Sequence, residues 1–92
     1  MKDDHPIRTP AELGAFIRAV RIASNLTQAE AAALCGVGGP FLSDLEGGKR
    51  TSQIGPTLAV CQGLGIEIHL TAPLPLDGAE KRKRRTRRPR VR

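Results

Sequence analysis

Thr27-Gln28-Ala29-Glu30-Ala31-Ala32-Ala33-Leu34-Cys35-Gly36-Val37-Gly38-Gly39-Pro40-Phe41-Leu42-Ser43-Asp44-Leu45-Glu46-Gly47-Gly48 holds two short helices and the turn between them. Thr27 opens a capping box that Glu30 closes, each side chain accepting a hydrogen bond from the other residue's backbone amide. The helix it starts runs to about Leu34, and its alanine run favours helix and permits close approach of a neighbour. Gly36 to Pro40 is a turn. Pro40 fits a helix only in its first turn, where its missing N–H has no intrahelical acceptor to lose. A further helix is therefore predicted from about Gly39 to Glu46, with Leu42 and Leu45 facing the core and Gly47-Gly48 ending it. Two short helices across a tight glycine turn read as a helix-turn-helix.

Upstream, Thr9 and Glu12 form another capping box with Pro10 at the first helical position, followed by Leu13, Phe16, Ile17 and Val20 at helical spacing. Ala23-Ser24-Asn25-Leu26 breaks that helix. Downstream, a fourth helix is expected from about Gln53 to Leu64, with Ile54, Leu58 and Cys61 on one side and Pro56 in its first turns. Ile66-Glu67-Ile68-His69-Leu70-Thr71 alternates apolar and polar, the strand period. One strand has no partner in a helical domain, but the same strand of a second copy would supply one. The expected fold is all-α, with one C-terminal β-strand (Ile66, Ile68, Leu70) pairing across a dimer. Residues 1–8 read as an N-terminal arm, 9–72 as a helix-turn-helix DNA-binding and dimerisation domain, and 73–92 as a flexible linker with a disordered basic tail.

The charge distribution divides the chain. Residues 1–80 hold six basic and nine acidic residues, whereas Lys81 to Arg92 hold nine Lys or Arg and no acid. Such a segment cannot bury enough apolar surface to order itself and seeks a polyanion. Lys81, Arg82, Lys83, Arg84, Arg85, Arg87 and Arg88 are the candidate phosphate contacts, since each neutralised phosphate releases counterions. A membrane partner is not expected, because no apolar residues alternate with these charges.

Trp and Tyr are absent and Phe occurs twice, which excludes the aromatic platforms that stack single-stranded bases. Cys35 and Cys61 lie far apart and read as buried small side chains. His5 and His69 are isolated, so no metal or cofactor is expected, and no set of residues suggests an enzyme. The start carries no apolar run of a signal peptide, so a cytoplasmic protein is expected, and a tail that seeks nucleic acid would make it nucleoid-associated.

Leu13-Gly14, Ile17-Arg18, Arg21, Leu26-Thr27-Gln28, Ala32, Gly36-Val37, Leu42-Ser43, Leu45-Glu46 and Gly48-Lys49 together resemble the XRE-type, lambda-repressor-like helix-turn-helix family. Phe41 to Glu46, Gln53-Ile54-Gly55 and Leu64-Gly65-Ile66 running into a strand look like its HipB-type antitoxin branch. The resemblance covers residues 7–71. It implies that Gln28 reaches a phosphate from the start of the second helix, that Arg21 pairs with Glu46, and that Lys49 and Arg50 meet the sugar–phosphate backbone. It further implies a homodimer on an inverted-repeat operator in double-stranded DNA, with a HipA-like Ser/Thr kinase toxin as partner.

The start of the recognition helix departs from the family. Gly38, Gly39 and Pro40 offer no side-chain donor, Ser43 is small, and Asp44 accepts a cytosine amino hydrogen but repels phosphate. Phe41 is expected to pack against the second helix, the alternative being a thymine methyl. Three readings stay open: an autoregulating repressor that is a HipB-like antitoxin, a stand-alone regulator or prophage repressor, and a protein-interaction adaptor with a polyanion-binding tail.

Overall fold

The computed structural model describes residues 4–76. Within them lie four helices: α1 (Pro10–Ala23), α2 (Gln28–Cys35), α3 (Gly39–Glu46) and α4 (Ile54–Gly63). The expected basic tail from Lys81 to Arg92 lies outside the described residues.

Both capping boxes are formed. Thr9 accepts from the Glu12 amide and Thr27 from the Glu30 amide, and each glutamate returns a bond to its cap's backbone. These bonds satisfy orphan amides that a helix start leaves free, so α1 and α2 begin where local chemistry sets them. Gly36, at φ +73°, closes α2 in the left-handed conformation, and α3 begins with Gly38 as a cap that has no side chain to offer.

Ile17, Ala31, Leu42, Leu45, Val60 and Cys61 are buried and form the centre of the core. Leu13, Leu26, Phe41 and Ile66 pack around them. Side chains this small fill a core only if the helices come close, and two glycines allow it. A Cβ on Gly14 would fall on the carbonyl oxygens of Leu45 and Glu46, so α1 rests directly on the last turn of α3. A Cβ on Gly63 would meet Cys35, its Cα at 3.1 Å, so α4 rests on the end of α2.

These contacts rotate two helices away from their expected faces. In α1 the most buried residues are Gly14, Ile17 and Arg21, while Leu13, Phe16 and Val20 are half-buried. In α4 the inner face is Thr57, Val60 and Cys61. Ile54 and Leu58, expected inside, are 71% and 45% exposed. The helix also begins one residue later than expected, with Gln53 as its cap and Pro56 in its first turn. Thr57 is accommodated in the interior because its hydroxyl donates to the Gln53 carbonyl at 2.6 Å.

After α4, the Ile66 amide donates to the Cys61 carbonyl, and Ile66 is half-buried against the core. Residues 67–71 are exposed and make no ladder among the described residues. A ladder needs a second strand, which the same segment of a second copy would supply.

Candidate nucleic-acid interface

One buried ion pair ties α1 to α3, and further hydrogen bonds around it reach α2 and the turn before it. Arg21, near the end of α1, donates from Nε to Oε2 of Glu46 at 2.6 Å and from Nη2 to Oε1 at 2.9 Å. Its Nη1 donates to the Leu26 carbonyl, 2.9 Å away in the turn before α2. Gln28, the first residue of α2, donates from Nε2 to the same Oε1 of Glu46 at 2.9 Å. Glu46, the last residue of α3, thus receives donors from both other helices.

Such burial is tolerable only because the charges are paired and hydrogen-bonded. The side chains are 10% exposed for Arg21 and 3% for Glu46. Burial pushes the Glu46 carboxyl up, but the hydrogen bonds from Arg21 and Gln28, with the charges of Arg21 and Arg18, hold it below the ordinary carboxylate value. The hydrogen bond to Glu46 raises the Arg21 guanidinium against the cost of burial. Both groups therefore stay charged at neutral pH.

On the other side of α3 the chain presents its candidate DNA-reading residues. Gly38, Gly39, Pro40, Ser43 and Asp44 are all exposed, as are Lys49 and Arg50 just beyond the helix. Nothing lies within 4 Å of a Cβ placed on Gly39, and its backbone is helical, so neither packing nor φ demands a glycine there. Asp44 Oδ2 lies 3.5 Å from Lys49 Nζ in an exposed pair. A pair of that kind contributes little to stability, but it offsets the negative charge that Asp44 would turn toward a phosphate. Gly48, at φ +85°, turns the chain sharply here, and a Cβ on it would lie 2.9 Å from the Ala11 Cα. The Lys49 backbone amide donates to the Asp44 carbonyl.

Gln28 is half-buried, with its amide turned toward Glu46. One N–H of that amide remains for an external acceptor. The bond to Glu46 is not legible in the sequence, because its partner lies in another helix and no local pattern announces it. The same holds for the Leu26 carbonyl and for Gly14, whose role is visible only once α1 meets α3. Phe41 is half-buried and packed against the core. Ile68 and Leu70 are 52% and 92% exposed. His69 lies 3.1 Å from Glu67 on the surface, and no group of three or more potential metal ligands occurs among the described residues. Cys35 and Cys61 are free, buried thiols, pushed up by burial. No helix of the described residues is long and apolar enough to cross a membrane.

The chain matches the helix-turn-helix domain family over residues 12–74. It is 52% identical over 67 residues to the uncharacterized HTH-type transcriptional regulator y4mF of Sinorhizobium fredii, a match covering 73% of this chain and 88% of that relative. Among solved structures it is similar in fold to a HipB–O4 20mer complex, with a TM-score of 0.69 and 21% identity. It is equally similar to HipB in a HipA–HipB–O2–O3 complex, again at 0.69 and 21%. Each of these two covers 77% of this chain and 100% of the other. At such identities the likeness is one of fold. From the family match and the relative together, the chain belongs to the helix-turn-helix family of transcriptional regulators.

Proposed function

We propose that the chain is a dimeric, sequence-specific DNA-binding repressor that acts on an inverted repeat and serves as the antitoxin of a HipB/HipA-type pair. The observation that carries the DNA-binding part is the arrangement of α3. Its inner edge is fixed to α1 and α2 by Arg21, Gln28 and Glu46, while Ser43 and Asp44 face outward with Lys49 and Arg50 beside them. A helix held rigidly on one side and open on the other is what insertion into a major groove requires. Two such units on a two-fold axis would address half-sites ~34–36 Å apart. Exposed Ile54, Leu58, Ile68 and Leu70 supply apolar surface for association of two copies. The antitoxin assignment draws on the fold likeness to HipB, including HipB in its complex with HipA. A HipA-like kinase is the corresponding partner.

An adaptor reading has one observation in its favour. Gly38, Gly39 and Pro40 leave the start of α3 without side-chain donors, so direct readout rests on few contacts, with DNA shape and the basic tail contributing the rest.

Binding of the full-length chain to a duplex from its own upstream region, against a scrambled duplex, tests the reading at ~150 mM salt and at lower salt. Preference for the upstream duplex supports the repressor. Equal, salt-labile binding to both duplexes and to RNA supports the adaptor. A chain that stays monomeric at micromolar concentration and ignores a HipA-like partner would remove the antitoxin assignment. Removal of residues 81–92 is expected to weaken binding to every duplex and lower the salt slope, while preference for the upstream duplex persists.

A further inference from the structure

The approach of the α1 start to the loop after α3 brings a third cation to the candidate interface. A depression of about 290 Å³ opens there, lined by Arg8 on one side and Lys49 and Arg50 on the other, with Ile7, Leu13 and Leu45 among its apolar walls. The contact of Gly48 with Ala11 sets this geometry, because it seats the first turn of α1 directly on the loop that carries Lys49 and Arg50.

The charge balance around the depression favours an anion. Glu12, the nearest acid on α1, has its carboxylate engaged by the backbone amides of Arg8 and Thr9. Asp44 is paired with Lys49. The side chains of Arg8 and Arg50 have no ion-pair partner among the described residues, and both residues are exposed. Two free guanidinium groups over apolar walls have no internal purpose. Each presents a planar fork of donors suited to two oxygens of one phosphate.

We propose that Arg8 is a further DNA contact, joining Arg50 and Lys49 in a two-sided grip on the phosphodiester backbone at the edge of each half-site. One strand presents a phosphate every ~3.4 Å of rise, so cations on the two walls can take neighbouring phosphates. This contact adds affinity and sets position, and it carries no base information. The inference rests on the DNA-binding reading above.

The test uses the full-length chain and its Arg8→Gln and Arg8→Lys variants, with salt titrations on the upstream and scrambled duplexes. Arg8→Gln should lower the log–log salt slope by ~0.9 on both duplexes and leave their affinity ratio unchanged. Its thermal midpoint should equal wild type, because only an exposed side chain is changed and the backbone bond to Glu12 stays. Arg8→Lys should restore the slope while binding remains weaker than wild type. Phosphate ethylation interference adds a positional readout: a phosphate at the half-site edge whose ethylation blocks wild type should cease to matter for Arg8→Gln. An unchanged slope, or interference patterns identical in wild type and Arg8→Gln, would overturn the proposal. Failure of wild type itself to prefer the upstream duplex would instead overturn sequence-specific repression, and the slope comparison would still decide the role of Arg8.

Discussion

Gln28 and Glu46 are joined by a 2.9 Å hydrogen bond from Nε2 to Oε1, linking the first residue of α2 to the last residue of α3. The same oxygen accepts from Arg21 of α1. Beyond their shared core, the two helices of the motif therefore meet at a single carboxylate, and any DNA contact made by α2 is coupled to the pose of α3.

Gln28→Ala should accordingly have two effects. Operator binding weakens because the start of α2 loses its long amide, and the fold loses about 1.5–3 kcal/mol with the bond to a charged acceptor. Dimerisation is expected to persist. Duplex titration, analytical ultracentrifugation and thermal melting of one preparation separate the three. An unaltered melting midpoint would mean that the Gln28 bond contributes nothing to the fold.

Removing one partner of the buried pair is costlier. Glu46→Ala leaves Arg21 charged and buried without its carboxylate, and a loss of ~3–5 kcal/mol is expected. In a domain this small that lowers the melting temperature by on the order of ten degrees or more. The double replacement Arg21→Met with Glu46→Leu should be less damaging than either single change, because no uncompensated charge remains. Thermal melts of the three variants check the order.

Acid should act through the same carboxylate. The Glu46 value is held below its unfolded value of ~4.3, so its contribution is fully present above that value. It is lost as pH falls through the lower folded value, because protons then bind the unfolded chain first. Stability should therefore decline below about pH 4–5, and Glu46→Gln should flatten that decline. Urea midpoints measured from pH 7 down to pH 3 give the comparison. Equal slopes in both proteins would show that other groups govern acid sensitivity.

Two glycines should respond in opposite ways. Gly14→Ala drives a methyl into the backbone of Leu45 and Glu46, and overpacking of that kind typically costs ~1–3 kcal/mol. Gly39→Ala meets nothing within 4 Å and should be neutral or stabilise α3 by up to about 1 kcal/mol. Denaturant midpoints decide both. A neutral Gly14→Ala would mean that α1 slides on α3 without cost.

Where the controlling chemistry is local, the sequence was legible. Thr9 with Glu12 and Thr27 with Glu30 mark the starts of α1 and α2, and Leu42 and Leu45 turn inward as their spacing requires. The face of α4 was not legible for a physical reason. Ile54, Leu58 and Cys61 share one helical face and Thr57, Val60 and Cys61 share another, so periodicity alone cannot choose between them. The choice falls to Gly63, which lets α4 settle on Cys35 in one rotation and leaves Ile54 outside. At the interface, the exposed positions Gly38, Gly39, Pro40, Ser43 and Asp44 could be placed from sequence. The inward turn of Gln28 could not, because it depends on a carboxylate that arrives from another helix.

The seating of Gly63 on Cys35 has an experimental use. The chain has neither Trp nor Tyr, so it lacks the intrinsic fluorophores by which small domains are usually followed. Its two thiols take their place: both are buried and raised by that burial, so a thiol reagent reaches Cys35 only when α4 lifts from α2. The rate of labelling is then a clock for that opening, and a ligand that holds α2, α3 and α4 together will slow it.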